Sequence, residues 1–174
     1  PWDFSRVNPQ TFSRIRLAVE QGSRLRIEYR SMRTPEPHAR TVDPHSLIQA
    51  GRRWHMRGYC LETSDFRDFV LGRIAKITVL DQRSEHTVTD DSKWNAVVKV
   101  RIQAHPKLTP GQQDLVRSEY FDGTAVRVHS CRGAMLPYLV QELRLALDTT
   151  KEMPPEYQLA VENVKEVRKW LFPA

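Results

Sequence analysis

Cysteine is scarce. Cys60 and Cys131 stand far apart in 174 residues, which excludes a disulfide-stapled scaffold and suits reduced, buried thiols. Long apolar runs are absent as well: nothing approaches the roughly 18 residues of a membrane span. The opening PWDFSRVNPQ has neither the charged nor the apolar region of a signal peptide, so a cytoplasmic protein is expected. Catalytic apparatus is equally thin. The histidines at 38, 45, 55, 86, 105 and 129 show no HExxH spacing, and no CxxC pair accompanies them, so no metal centre is expected. No GxSxG elbow, Walker loop or GxGxxG is present, which removes the usual machinery of acyl transfer, NTP hydrolysis and dinucleotide redox chemistry. His45 and Ser46 are sequence neighbours on an expected strand. Their side chains should point to opposite faces, unable to form a nucleophile-to-base bond without distortion. No catalytic residue and no cofactor is assigned.

What is present is ordinary globular composition, with 40% hydrophobic and 28% charged residues, enough to bury a core. Charge is distributed unevenly. Residues 1–80 hold 14 Lys and Arg against 8 Asp and Glu, whereas residues 81–174 hold 13 of each. A basic first half suits an anionic partner such as nucleic acid, nucleotide or phosphate, although surface arginine also serves solubility.

Along the chain, Asn8-Pro9 starts a helix and Gly22 stops it, with Phe12, Ile15 and Val19 on one face. Residues 24–30 alternate as a strand, Leu25, Ile27 and Tyr29 against the charged positions. Pro35 and Pro37 interrupt any ladder before a strand through Val42 to Ile48. Ala50-Gly51 then turns into the most informative stretch, RRWHMRGYCLETSDFRDFVLGRIAKI at 52–77. It reads as two alternating strands around the polar turn Glu62-Thr63-Ser64-Asp65. Trp54, Met56, Gly58 and Cys60 share one face, His55, Arg57 and Tyr59 the other. On the second strand Arg67, Phe69, Leu71 and Arg73 share a face. Pairing would set two rows of cations and aromatics side by side, either as a solvated sheet face or as a binding surface; cross-strand repulsion between arginines favours an anion between them. A fifth strand covers Lys76 to Leu80.

Residues 81–95 are polar and weakly patterned, the natural linker. A second domain at 96–174 follows, with strands around Val98–Ile102, Ala125–Cys131 and Tyr157–Val161. A helix opens at Thr109-Pro110, another runs from Gly133 to Leu147, and a last one begins at an Asn163/Glu166 capping box.

The blocks LRIEYRS at 25–31, RTVDPHSLI at 40–48, RRWHMRGYC at 52–60 and FRDFVLGRI at 66–74 together resemble a WYL domain, a bacterial ligand-sensing module. The family tripeptide is here Trp54-His55-Met56, and with Pro44-His45 it resembles the BrxR- and CapW-like subgroup of repressors associated with phage defence. The resemblance implies an α+β chain, with an N-terminal helix on a small five-stranded Sm-like β-barrel in residues 1–80 and a dimerising C-terminal extension. It also implies a DNA-binding winged helix, for which the residues before Leu25 leave no room; with the abrupt entry PWDF, a piece of a longer protein is expected. Pocket positions carried over are Ser31, His45, His55, Arg57, Tyr59, Arg67, Phe69 and Arg73. Arginine can fork onto phosphate, Tyr59 or Phe69 can stack a base, and Ser31 and the histidines can supply directional hydrogen bonds. Tyr29 is also a family pocket position, but its alternation with Leu25 and Ile27 assigns it to the core, as Trp54 is assigned; Arg40 serves as a surface residue. Two functions stand open. One is the sensing region of a homodimeric repressor, controlled by an anionic nucleotide or oligonucleotide and reaching operator DNA through another domain. The other is a module that binds single-stranded nucleic acid directly.

Overall fold

A computed structural model describes residues 4–172. Pro1 to Asp3 of the opening PWDF, and the last two residues, lie outside that range. The chain divides into two compact units, Pro1–Ser92 and Lys93–Ala174, taken separately below. No helix among the described residues is long and apolar enough to cross a membrane.

The first unit opens with α1 (Pro9–Gln21). Its ends follow from local chemistry. Asn8 Oδ1 accepts from the amides of Gln10 at 2.8 Å and Thr11 at 3.4 Å, satisfying donors that a first turn leaves orphaned. Gly22 closes the helix at φ 64°, a left-handed conformation natural to glycine. Ile15 and Ala18 are fully buried, and Phe12 meets Trp54 edge-on at 5.1 Å.

Five strands follow: β1 (Ser23–Tyr29), β2 (His38–Ala50), β3 (Arg53–Cys60), β4 (Asp65–Val70) and β5 (Ile74–Arg83). They form one sheet in the order β4-β3-β2-β1-β5 with every described pairing antiparallel. The expected Sm-like barrel is not closed: β4 and β5 are the two edges, and no ladder joins them. The edges nevertheless approach at one end, because only the 3-10 turn Leu71–Arg73 separates Val70 from Ile74. There Val70 N–H donates to the Tyr29 hydroxyl at 3.2 Å, and Arg30 N–H donates to the Arg73 carbonyl at 3.1 Å. These bonds satisfy edge groups that a ladder would otherwise take.

One sheet face carries the core. Leu25, Ile27 and Tyr29 of β1 pack with Val42, Met56, Cys60, Phe69 and Ile77; Tyr29 meets Phe69 edge-on at 5.1 Å, which confirms its assignment to the core. At Gly58 a side chain would have no room, since a Cβ there would fall 2.5 Å from the Asp43 carbonyl oxygen.

Residues 81–95, expected as a linker, carry structure. Asp81 to Arg83 complete β5, Val88–Asp90 form a 3-10 turn and α2 (Ser92–Asn95) follows. Residues 84–91 bond to a polar sheet face rather than contribute to an apolar core, and the boundary between the two units falls within residues 81–95, at Ser92.

The second unit contains β6 (Val97–Ala104), α3 (Pro110–Tyr120), β7 (Val126–Arg132), α4 (Leu136–Glu142), β8 (Leu145–Ala146), β9 (Leu159–Val161) and α5 (Val164–Val167). Its sheet runs β7-β6-β9-β8, with β8 parallel to β9. Val98, Val100, Ile102 and Ala104 alternate into the core against Leu136, Leu145, Val161 and Val167. The expected helix from Gly133 to Leu147 is shorter. Arg144 adopts φ 47° and turns the chain, so that Leu145 and Ala146 pair with Leu159 and Ala160. Both conformations bury these residues, so periodicity could not separate them. Asn163 stands at the N-cap of α5, as expected, but its side chain makes no capping hydrogen bond to the helix amides. Its side chain instead accepts from Arg101 N–H at 2.9 Å and donates to the Lys99 carbonyl at 3.0 Å, tying the last turn to β6.

Candidate functional site

The sheet face opposite the core is polar, and its composition follows from register. Asp43 pairs with Tyr59, Ser46 with Arg57 and Ile48 with His55; on the other side Tyr59 pairs with Phe66, Arg57 with Asp68 and His55 with Val70. Directly paired residues share a face. The expected partnership of Arg57 with Arg67 and Phe69 is therefore corrected by one position. Arg67 pairs with Gly58 and Phe69 with Met56, so Phe69 is buried in the core and Arg67 is an exposed residue of the edge strand. A one-residue difference in register exchanges faces.

A second irregularity assembles the site. The β2–β3 register slips between Pro44 and Ser46, which leaves His45 as an extra, bulged residue. The bulge supplies the distortion that simple alternation forbids, and His45 Nδ1 lies 2.9 Å from Ser46 Oγ. His45 Nε2 lies 3.0 Å from Asp91 Oδ2.

Asp91 is the member that the sequence reading missed. Its carboxylate takes a two-pronged bond from Arg57, Nε to Oδ2 at 2.6 Å and Nη2 to Oδ1 at 3.0 Å, while Arg57 Nη1 reaches Asp68 Oδ1 at 2.9 Å. Arg57 and Asp91 are both buried. Burial works against the Arg57 charge, but the Asp91 and Asp68 carboxylates outweigh it and hold the guanidinium protonated more firmly than usual. The expected open phosphate-reading arginine is thus already engaged by acidic side chains.

Beside this pair lies another buried carboxylate. Asp43 accepts from Arg24 Nε at 2.7 Å and Nη2 at 3.1 Å, and from the Glu85 and His86 amides at 3.1 Å each. His86 Nδ1 is also 3.0 Å away. Burial alone would raise the Asp43 pKa, yet the hydrogen bonds from Arg24, His86 and Glu85 prevail and place it below the ordinary carboxylate range. The His86 ring stacks on Tyr59 with centroids 3.6 Å apart and planes 9° apart. Phe66 touches both Tyr59, at 5.2 Å, and His45, at 5.7 Å. The aromatic cluster and the Arg57 cluster are therefore contiguous.

Of the other expected positions, His55 is buried on this face, and burial pushes its pKa down; the Asp68 charge opposes that, while Arg53 and Arg73 reinforce it. Arg73 lies in the 3-10 turn at the end of the sheet. Ser31 stands apart, its hydroxyl accepting from Thr34 N–H at 3.0 Å within the β1–β2 loop. The structure therefore brings together His45, Arg57 and Tyr59, keeps His55 within electrostatic reach of Asp68 and Arg73, places Ser31 in the β1–β2 loop and puts Arg67 and Phe69 on the other face. A bulge at a histidine and an acid at the end of a polar stretch carry no local signal of their own.

Residues 10–79 match the WYL domain family, and residues 97–167 match the C-terminal dimerization domain of the BrxR transcriptional regulator. The chain belongs to the WYL-domain proteins and carries a BrxR-type C-terminal domain. The DNA-binding transcriptional repressor CapW of Pseudomonas aeruginosa is 34% identical over 94% of this chain and 54% of its own length. CapW of Escherichia coli (strain KTE188) is 33% identical over 93% of this chain and 54% of its own, and that of Stenotrophomonas maltophilia 35% identical over 88% and 52%. The chain thus spans about half the length of the curated relatives it matches.

Proposed function

We propose that this chain is the ligand-sensing and dimerising region of a cytoplasmic bacterial transcriptional repressor, of the kind associated with phage defence. An anionic nucleotide or oligonucleotide effector acts at the polar face of the first unit and controls operator binding by a winged-helix domain elsewhere in the full-length protein. The carrying observation is the buried guanidinium of Arg57, gripped by a carboxylate through two parallel bonds beside the ring of Tyr59. That geometry suits an anion with an attached flat ring, because Arg binds carboxylate and phosphate by the same fork while an aromatic face accepts any base. The near approach of β4 and β5 at Leu71–Arg73 supports treating the sheet as an open variant of the Sm-like barrel. The second unit is the dimerising part, in keeping with the family it matches.

The test is an operator titration of the full-length protein with and without a short single-stranded oligonucleotide. Sensing requires differential affinity of the ligand for two states of the protein, and the expected change in operator affinity is about 5- to 150-fold. His55→Ala and Arg73→Ala should abolish the response and leave operator binding intact. An operator affinity indifferent to oligonucleotide, with this chain alone holding single strands as tightly as the full-length protein, would favour the direct binding module instead. Light scattering of a monomer at about tens of micromolar would count against dimerisation, since an interface of standard size holds at such concentrations.

A further inference from the structure

Two groups on the polar face of the first unit are occupied by the same short segment, residues 84–91. Its His86 ring lies flat on Tyr59 at 3.6 Å and 9°. Its Asp91 carboxylate sits in the fork of Arg57 at 2.6 and 3.0 Å and against His45 at 3.0 Å. A planar nitrogen ring on an aromatic side chain and an anion on a buried guanidinium are the two contacts that a nucleotide makes, one through its base and one through its phosphate. Phe66 touches both Tyr59 and His45, so the two places adjoin. We infer that residues 84–91 form an internal strap that mimics a nucleotide, His86 standing where a base stacks and Asp91 where a phosphate binds, and that a nucleotide effector enters by displacing it.

The construction of the strap suits this role. It has no buried apolar anchor: Val88 is 38% exposed and Glu85, Thr87, Thr89 and Asp90 are exposed. Its bend is held locally, with Thr87 N–H donating to Asp90 Oδ2 at 2.7 Å and Asp90 N–H to the Thr87 carbonyl at 3.1 Å. Its grip on the sheet is polar, through the Glu85 and His86 amides on Asp43 and through Asp91 on Arg57. An incoming phosphate restores the Arg57 bonds that Asp91 gives up, and water satisfies the released carboxylate. The exchange leaves no buried charge uncompensated, which is the condition for a reversible switch.

This inference rests on the sensor reading above and specifies how its site is regulated. The test measures binding of a 5′-phosphorylated thymidine dinucleotide to the whole chain, as wild type, Asp91→Asn and His86→Ala, together with hydrogen exchange at the Glu85 and His86 amides. Apparent affinity scales with the fraction of molecules whose strap is open. A strap closed in about nine molecules of ten therefore predicts roughly tenfold tighter binding to Asp91→Asn, and a smaller gain in His86→Ala. Saturating dinucleotide should also speed exchange of both amides in the wild type, a readout that needs no variant to fold. If the wild type binds but neither substitution tightens binding and the amides stay protected, the strap is not the competitor and the sensor reading stands. If no form binds the dinucleotide, the nucleotide-sensor reading itself fails.

Discussion

Asp43→Asn should strongly destabilise the first unit. The Asp43 side chain is completely buried and its partner Arg24 is 9% exposed, so solvent does not screen the pair. Four of its five contacts converge on Oδ2, from Arg24 Nη2, the Glu85 and His86 amides and His86 Nδ1, and the fifth joins Oδ1 to Arg24 Nε at 2.7 Å. An asparagine can keep its oxygen on the crowded side only by turning its NH2 toward Arg24 Nε, donor against donor. In either orientation the buried guanidinium loses its buried counter-charge and keeps only the exposed Glu85 carboxylate, 3.6 Å away. Breaking a buried ion pair on one side costs about 3–5 kcal/mol. For a unit of this size that lowers the melting transition by more than about 10 °C. Thermal unfolding of the whole chain, followed by the near-ultraviolet signal of Tyr59 and Trp54, measures it. Replacing both residues, Arg24→Leu with Asp43→Leu, should recover only part of the loss, because it leaves no orphaned charge but takes the acceptor from the Glu85 and His86 amides. A single variant within about 1 kcal/mol of wild type would refute the claim that this network holds residues 84–86 to the sheet.

Other consequences are independent of that network. Gly58→Ala should destabilise by about 1–3 kcal/mol in chemical denaturation, because its Cβ would meet the Asp43 carbonyl oxygen at 2.5 Å and the neighbouring Pro44 Cα at 2.8 Å; an unchanged midpoint would show that β2 and β3 separate freely there. Asn8→Ala should cost about 1 kcal/mol and Asn8→Ser much less, since a hydroxyl still accepts from the first-turn amides; equal losses in both would deny the cap. His55 has a folded pKa below its unfolded value, so the unfolded chain binds the extra proton first. Its contribution is complete above the unfolded pKa of about 6.5 and is lost as pH falls through the folded value. The pH dependence of stability below about 6.5 should flatten in His55→Gln, and an unaltered slope would move the proton uptake to another group.

Local chemistry was sufficient for much of the first unit. Asn8, Pro9 and Gly22 bound α1 from within three residues of its ends, and the alternation of Leu25, Ile27 and Tyr29 placed β1 and its buried face. Four ordered blocks were sufficient for the family, since side-chain type at fixed spacing is itself a sequence property. What needed the tertiary structure was everything decided by a choice between neighbours of equal propensity. The β3–β4 register sends Phe69 inward and Asp68 toward Arg57, yet either register satisfies the alternation of β4 alone. Leu145 leaves its helix because β9 offers a partner, and no residue of α4 records that. Asp91 lies 34 positions from Arg57 along the chain. Composition marks its surroundings as polar linker, because a segment that binds through amides and carboxylates to a polar face needs no apolar periodicity. Periodicity reports which residues leave water; it is silent on which charge meets which, and the occupant of the Arg57 fork was decided only when the chain folded back across the sheet.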